Sequence, residues 1–470
     1  MRYQSTRGQA PELDFAGVLL AGLASDGGLY MPASWPRFSA ADLRALRGLP
    51  YPELAARVLA PFTEGSIAFA DLQAMCRRAY AGFTHKDIVP LVQLDTNVYA
   101  LELFHGPTLA FKDMALQLVG LLFEHVLSQR DEKICIVGAT SGDTGSAAIE
   151  AVANRKNIDI TILHPAGKTS EVQRRQMTTV KAGNVLNIAV DGNFDDCQDL
   201  VKLMFADTKF RAEMNLSAVN SINFARIAAQ IPYYVYAALQ LGAPEQEVAV
   251  SVPTGNFGNI LAAWAAAQMG VPITRFIVAS NRNDILFRFL QNNDMSMRDV
   301  EPSLSPSMDI GISSNFERLL FEFLGRDDEA LTQAIGGFRG NMDRRMPVPE
   351  SVWQAIRRQF IGFRLSDEQT LAEIGRLYRE CGYLADPHSI IGIAAARELG
   401  PSIGLPVIAA ATAHPAKFPD AIEKAMGSRP PLPAHLSDLY EREEKFIRAP
   451  NDLAAIEDRV RNFANRNMNV

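Results

Sequence analysis

The 470-residue chain has only four cysteines, Cys76, Cys135, Cys197 and Cys381, and none stands in a CxxC pair or at a zinc-ligand spacing. That excludes a disulfide scaffold or zinc ribbon and suits reduced, mostly buried thiols in a cytoplasmic protein. No apolar run approaches the roughly 18 uninterrupted residues of a membrane helix. The opening MRYQSTRGQAPELDF lacks the hydrophobic stretch of a signal peptide. Cations are not in excess: 46 Lys and Arg face 53 Asp and Glu, and a net charge of −7 argues against a nucleic-acid partner. Repeats of fixed period and low-complexity tracts are missing too. What remains, 48% hydrophobic and 21% charged residues, is the composition of a soluble globular enzyme. The length calls for two domains, or two with a terminal extension.

Residues 1–90 read as mainly helical, with patterns such as AADLRALRGL (40–49) and ELAARVLAPF (53–62) around a Gly/Pro-rich stretch at 27–36. From about residue 97 short runs rich in Val, Ile and Leu alternate with helical patterns. The predicted strands are 98–103, 133–138, 159–164, 184–190, 247–253, 274–280 and 406–412. Repeated strand–turn–helix units predict an α/β fold with parallel sheets covered on both faces. Ligands in such folds sit beyond the carboxyl ends of the strands, so the turns there carry the functional reading.

VPTGNFGNILAAWAAAQMG (252–270) is one such turn. Gly255 and Gly258 permit close backbone approach, and an Ala-rich helix starting near Asn259 offers N–H groups and a dipole suited to phosphate. The same pattern also describes a tight turn with Asn256 or Asn259 as helix cap. It is neither a P-loop nor a GxGxxG fingerprint. ATSGDTGSAAIEA (139–151) repeats the form with Ser141, Asp143 and Thr144. Two such turns fit a ligand with two anionic groups, either an amino acid joined to a phosphorylated cofactor or a dinucleotide. Lys112, in ELFHGPTLAFKDMALQL, adjoins an apolar run at the start of a helix. Its ordinary reading is a solvated charge; partial desolvation would instead lower its pKa and free a nucleophilic amine for Schiff-base chemistry.

LFHGPTLAFKD, ATSGDTG, VNSINFARI (219–227), SVPTGNFGN and TAHPAKF (412–418) occur in this order. Together with LASDGGLYMP (23–32) and DGNFDDC (191–197), they resemble the threonine synthase family, from the N-terminal region to about residue 420. That family shares the tryptophan synthase β-like fold of pyridoxal-phosphate enzymes. The resemblance implies a two-domain parallel-sheet fold with a mainly helical N-terminal region at 1–96. The large cofactor domain then covers 97–130 and 216–470, and a small α/β domain 131–215. The implied reaction eliminates phosphate from O-phospho-L-homoserine and adds water to give L-threonine, with pyridoxal phosphate as cofactor.

By resemblance, Lys112 holds the cofactor and then moves protons. Gly255, Asn256, Phe257, Gly258 and Asn259 bind its phosphate, Thr412 its ring nitrogen, and Asp143 lies near its 3′ oxygen. Related families often have Asn at the position of Asp143. Ser141 and Thr144 would hold the substrate carboxylate, and Asn220, Ser221 and Arg226 the substrate phosphate, Arg being suited by its planar fork. His105 and His414 flank these motifs as structural or catalytic residues. Lys417 is the rival lysine for the cofactor, in a Pro-flanked segment that reads as a loop. DGNFDD invites a calcium reading but lacks the glycine and glutamate of an EF-hand, so no metal is expected. Neither a membrane nor a nucleic acid is an expected partner; a monomer or homodimer is. The rival readings are another enzyme of the same fold, a nucleotide-binding protein, and a homologue that binds cofactor without this reaction.

Overall fold

The apolar runs become the central strands of two parallel sheets. The computed structural model describes residues 1–140, 142–218, 220–340 and 345–468. The strands in chain order are β1 (Tyr3–Ser5), β2 (Tyr30–Pro32), β3 (Leu91–Asp95), β4 (Val98–Glu102), β5 (Ile134–Ala139), β6 (Ile158–Pro165) and β7 (Val185–Asp191). They continue with β8 (Leu216–Ser217), β9 (Val248–Pro253), β10 (Ile273–Ser280), β11 (Phe360–Arg364), β12 (Val407–Ala411) and β13 (Ile447–Pro450). All seven predicted strands are among them. The six-stranded sheet runs β11-β10-β9-β12-β4-β3, parallel except where β3 meets β4. The five-stranded sheet runs β13-β7-β6-β5-β8 and is parallel throughout. Every residue of β6, β9 and β12 is buried, as strands covered on both faces require.

The Gly/Pro-rich stretch in the N-terminal region forms β2, which pairs antiparallel with β1 across the intervening Phe15–Ala21 helix. Tyr30 O accepts from Arg318 Nε at 3.1 Å, and Arg318 also donates to Ile222 O at 2.6 Å. One buried guanidinium therefore ties the N-terminal strand pair to the NSINFAR segment. At the other terminus, β13 was expected within the large domain, but it is hydrogen-bonded to β7 of the smaller sheet. The Leu453–Met468 helix follows it there, its Ile456 and Val460 packed in the smaller sheet's core. DGNFDD is a helix start. Asn193 caps the Phe194–Ala206 helix, with Asp196 completing a capping box. Among the described residues no helix is long and apolar enough to cross a membrane.

Two helices bring the sheets' chemistry together. Lys112–Arg130 follows β4 of the larger sheet, and Asp143–Val152 follows β5 of the smaller. They pack at Gly120, where an added Cβ would lie 2.3 Å from the carbonyl oxygen of Ala151. Gly120→Ala would gain about 1 kcal/mol of helix propensity. The overpacking against rigid backbone costs about 1–3 kcal/mol and wins. A lower urea midpoint is expected for this variant; a midpoint at or above the parent's would mean the helices separate freely.

Candidate active site

Lys112 and Asp143 are each the first residue of their helix, and both are buried. Lys112 Nζ lies 3.4 Å from Asp143 Oδ2 and 3.4 Å from Ser307 Oγ. The positive end of a helix macrodipole disfavours an ammonium and favours a carboxylate, so the two helix starts act oppositely on these groups. Burial lowers the Lys112 pKa. The cations of Lys417 and Arg226 push it the same way, and Asp143 opposes them. Asp143 feels burial as an upward push, but Lys417 and Lys112 beside it hold its carboxyl well below the usual carboxylate range. Ser307 Oγ donates to Asp143 Oδ2 at 3.0 Å and Gln173 Nε2 to Asp143 Oδ1 at 2.9 Å.

The rival lysine belongs to the same cluster. Lys417 ends a short 3₁₀ turn, Pro415–Lys417, and is completely buried. Its ammonium donates to Thr108 O at 2.7 Å and Gln176 Oε1 at 2.9 Å, and lies 3.2 Å from Asp143 Oδ1. Thr108 is fixed in turn by Asp113, the residue after Lys112, which accepts from Thr108 N at 2.8 Å and Thr108 Oγ1 at 2.7 Å. Burial pushes the Asp113 carboxyl up to about 6 against those bonds. Asp113 thus shapes the loop that leads into Lys112.

A chain of contacts crosses from Ser307 to Thr412. Ser307 N donates to His388 Nε2 at 3.2 Å, and His388 Nδ1 lies 2.9 Å from Asp386 Oδ1. Asp386 also accepts from Ser389 Oγ, and that oxygen accepts from Thr412 N at 2.7 Å. Thr412 O accepts from Phe111 N at 2.8 Å, which places the residue just after β12 against the residue just before Lys112.

After β9 the loop 254–257 enters the Gly258–Gln268 helix. Phe257 holds a left-handed backbone (φ 63°), fixed by packing its ring against Phe316 and Phe360. A non-glycine residue there is strained, and such strain clusters at ligand sites. A Cβ on Gly255 would lie 2.8 Å from Ser307 O, so the loop closes directly on the Ser307 turn. The first N–H groups of the helix, from Gly258 onward, have no intrahelical acceptor. Asn259 Oδ1 accepts from Tyr233 at 3.0 Å and from Tyr234, while its Nδ2 is buried without a hydrogen-bond partner among the described residues. Asn256 O accepts from Asn315 N at 3.1 Å and Asn315 Nδ2 at 2.9 Å.

Asn315 Nδ2 also donates to Ser221 O at 3.1 Å, which joins the loop to the NSINFAR segment. There Asn220 is exposed, Ser221 half-buried, and Arg226 buried in the short Phe224–Ala228 helix, which Asn223 caps. Burial lowers the Arg226 guanidinium to about 10. Thr144 stands half-buried in the first turn of the Asp143–Val152 helix, and Ser141 lies outside the described residues. His105 is bound to Glu102 at 2.7 Å, and His414 caps the Lys417 turn by accepting from Ala416 N at 3.1 Å. Burial lowers His414 to about 4, which keeps its ring neutral. Ser307, His388, Gln173 and Asn315 carried no signal of their own in the sequence.

Known proteins agree along the whole chain. Family models match in succession: threonine synthase N terminus at 2–80, pyridoxal-phosphate dependent enzyme at 87–407, and threonine synthase C-terminal at 389–460. Threonine synthase of Pseudomonas aeruginosa is 54% identical over 467 residues, covering 99% of each chain. Among solved structures, pyridoxal-phosphate-bound threonine synthase from Brucella melitensis is 52% identical with a TM-score of 0.96, covering 98% of this chain and 99% of that one. Threonine synthase from yeast follows at 37% identity and a TM-score of 0.94, covering 99% of each.

Proposed function

The chain belongs to the threonine synthase family of pyridoxal-phosphate-dependent enzymes, and on that premise we propose that it converts O-phospho-L-homoserine and water into L-threonine and phosphate, with Lys112 as the cofactor lysine. One observation carries the residue assignment: a buried lysine with a lowered pKa, set between Asp143 and Ser307 where the carboxyl ends of both sheets meet. The side chains fit pyridoxal phosphate. Its phosphate suits the N–H groups from Gly258 onward, the Asn259 Nδ2 that has no partner among the described residues, and a loop in which Gly255 leaves no room for a Cβ. Gly255, Asn256, Phe257, Gly258 and Asn259 are the proposed cradle, with Thr412 toward the ring nitrogen and Asp143 toward the opposite edge.

Bound pyridoxal phosphate supplies an electron sink for the pair left when a proton leaves the substrate Cα. The chain's own residues do the rest. Lys112 would hold the cofactor, and its amine would move protons between the substrate Cα and the neighbouring carbons. Arg226, with Asn220 and Ser221, is assigned to the phosphate that departs from Cγ, and Thr144 to the substrate carboxylate. Four free cysteines, three of them buried, suit the proposed cytoplasmic setting.

Incubation of the holoenzyme with O-phospho-L-homoserine should release phosphate and threonine in equal amounts. Phosphate with homoserine instead would mark a phosphatase, and phosphate with a keto acid a lyase that stops before water addition. Either result overturns the proposed reaction.

A further inference from the structure

We infer that Lys417 is a positioning residue that assigns the ionisation states of the site: it keeps the proton in a buried ion pair with Asp143, so that Lys112 presents a neutral, nucleophilic amine. The inference rests on the reading of Lys112 as the cofactor lysine and gives Lys417 a part in its chemistry.

The cluster contains two lysines and one carboxylate, all buried. Two ammonium groups on one carboxylate would leave a net positive charge in a desolvated site, with Arg226 adding another cation. Releasing one proton relieves it. Geometry selects which lysine gives it up. Lys417 Nζ faces three acceptors, Thr108 O at 2.7 Å, Gln176 Oε1 at 2.9 Å and Asp143 Oδ1 at 3.2 Å. An ammonium has three N–H donors for those three oxygens. A neutral amine has two, and would turn a lone pair toward a buried acceptor. Lys112 has weaker reasons to stay charged. Its two contacts are both 3.4 Å long, and its helix start repels positive charge.

The surrounding groups agree. Asp143 Oδ2, nearer Lys112, already accepts from Ser307 Oγ at 3.0 Å, and Oδ1 receives Gln173 and Lys417. His388 accepts the Ser307 N–H on Nε2, so it offers no proton there, and its other nitrogen faces Asp386. Asp113 interacts electrostatically with Lys417 and also holds Thr108, one of its acceptors, by two hydrogen bonds, so it too favours the charge on Lys417. The downward push on Lys112 and the strong stabilisation of the Asp143 carboxylate by Lys417 run in the same direction.

The test measures how fast the full-length chain, freed of cofactor, captures added pyridoxal phosphate across a range of pH. Borohydride trapping and peptide mapping report the pyridoxyl group on each lysine. Lys417→Met removes the cation that repels a charge on Lys112 and leaves Asp143 to Lys112 alone. The midpoint of the Lys112 capture profile should move upward by about one to three pH units. Capture at neutral pH should then slow by about tenfold or more. Lys417→Arg keeps the charge and should keep the midpoint near the parent's. Asp143→Asn combined with Lys417→Met removes both charges of the pair, and its midpoint should fall back below that of Lys417→Met alone. A purely structural lysine would not give that reversal. A folded Lys417→Met protein with the parent's midpoint overturns the inference. Should that variant fail to fold, an Arg variant with a raised midpoint overturns it equally. A pyridoxyl group that never appears on Lys112 in the parent defeats the cofactor assignment instead, so the two failures are distinguishable.

Discussion

Lys112→Ala should abolish the borohydride-reducible link to pyridoxal phosphate and lower turnover by at least about 10²-fold, the low end for loss of a positioned acid or base. The structure adds an expectation about stability. Breaking a buried ion pair usually leaves an uncompensated charge and costs several kcal/mol. Here Asp143 would keep Lys417 at 3.2 Å, Gln173 at 2.9 Å and Ser307 at 3.0 Å, so no carboxylate is stranded. Burial already penalises the charged form of the side chain that is removed. Lys112→Ala should therefore fold with an unfolding midpoint close to the parent's. Full-length protein that retains turnover within about tenfold would refute Lys112 as the acid–base group. A pyridoxyl group mapped to Lys417 in the parent would refute it as the cofactor lysine.

The central strands were legible because a strand buried on both faces has one signature, a short run of Val, Ile, Leu and Ala between turns. β5, β9 and β12 carry it most plainly, while β6 mixes its Ile and Leu with Asp159 and Thr161. Edge strands do not. β3, β11 and β13 are partly exposed and mix polar with apolar residues, so FIGFR and IRAP have no period that marks them. The missed pairing of β13 with β7 has a further cause: roughly 250 residues separate the two strands, and no local pattern reports so distant a contact. The site divides in the same way. Lys112, Asp143 and the Gly255–Asn259 loop each follow a readable strand, where the carboxyl-end rule directs attention, and Thr412 entered through the family resemblance. Ser307 and His388 come from stretches with no strand before them and reach Lys112 only through topology. Lys417 was visible as a lysine, but its flanking prolines read as a loop. In the structure Pro415 opens a helical turn, a position where its missing N–H costs nothing, and that turn carries the lysine into the core.

Arg226→Ala should reduce kcat/KM for O-phospho-L-homoserine by about ten- to a few hundred-fold, since a hydrogen bond to a charged group is worth roughly 1.5–3 kcal/mol. A buried guanidinium, its pKa lowered to about 10, is costly to hold, and a phosphate dianion would offset that cost. Arg226→Lys keeps the charge but loses the planar paired contact, so it should recover only part of the loss. Two effects must be separated, because Arg226 also helps to lower the Lys112 pKa. Without Arg226 the Lys112 amine holds its proton to higher pH, so a defect acting through Lys112 shrinks as the pH rises through that range. A defect in phosphate binding does not shrink. The prediction is a loss that persists at alkaline pH, with a nearly normal spectral response to L-threonine, which carries no phosphate. Equal damage to both ligands, or a loss that alkali repairs, would make Arg226 a residue that acts on Lys112 and would reopen the choice of substrate.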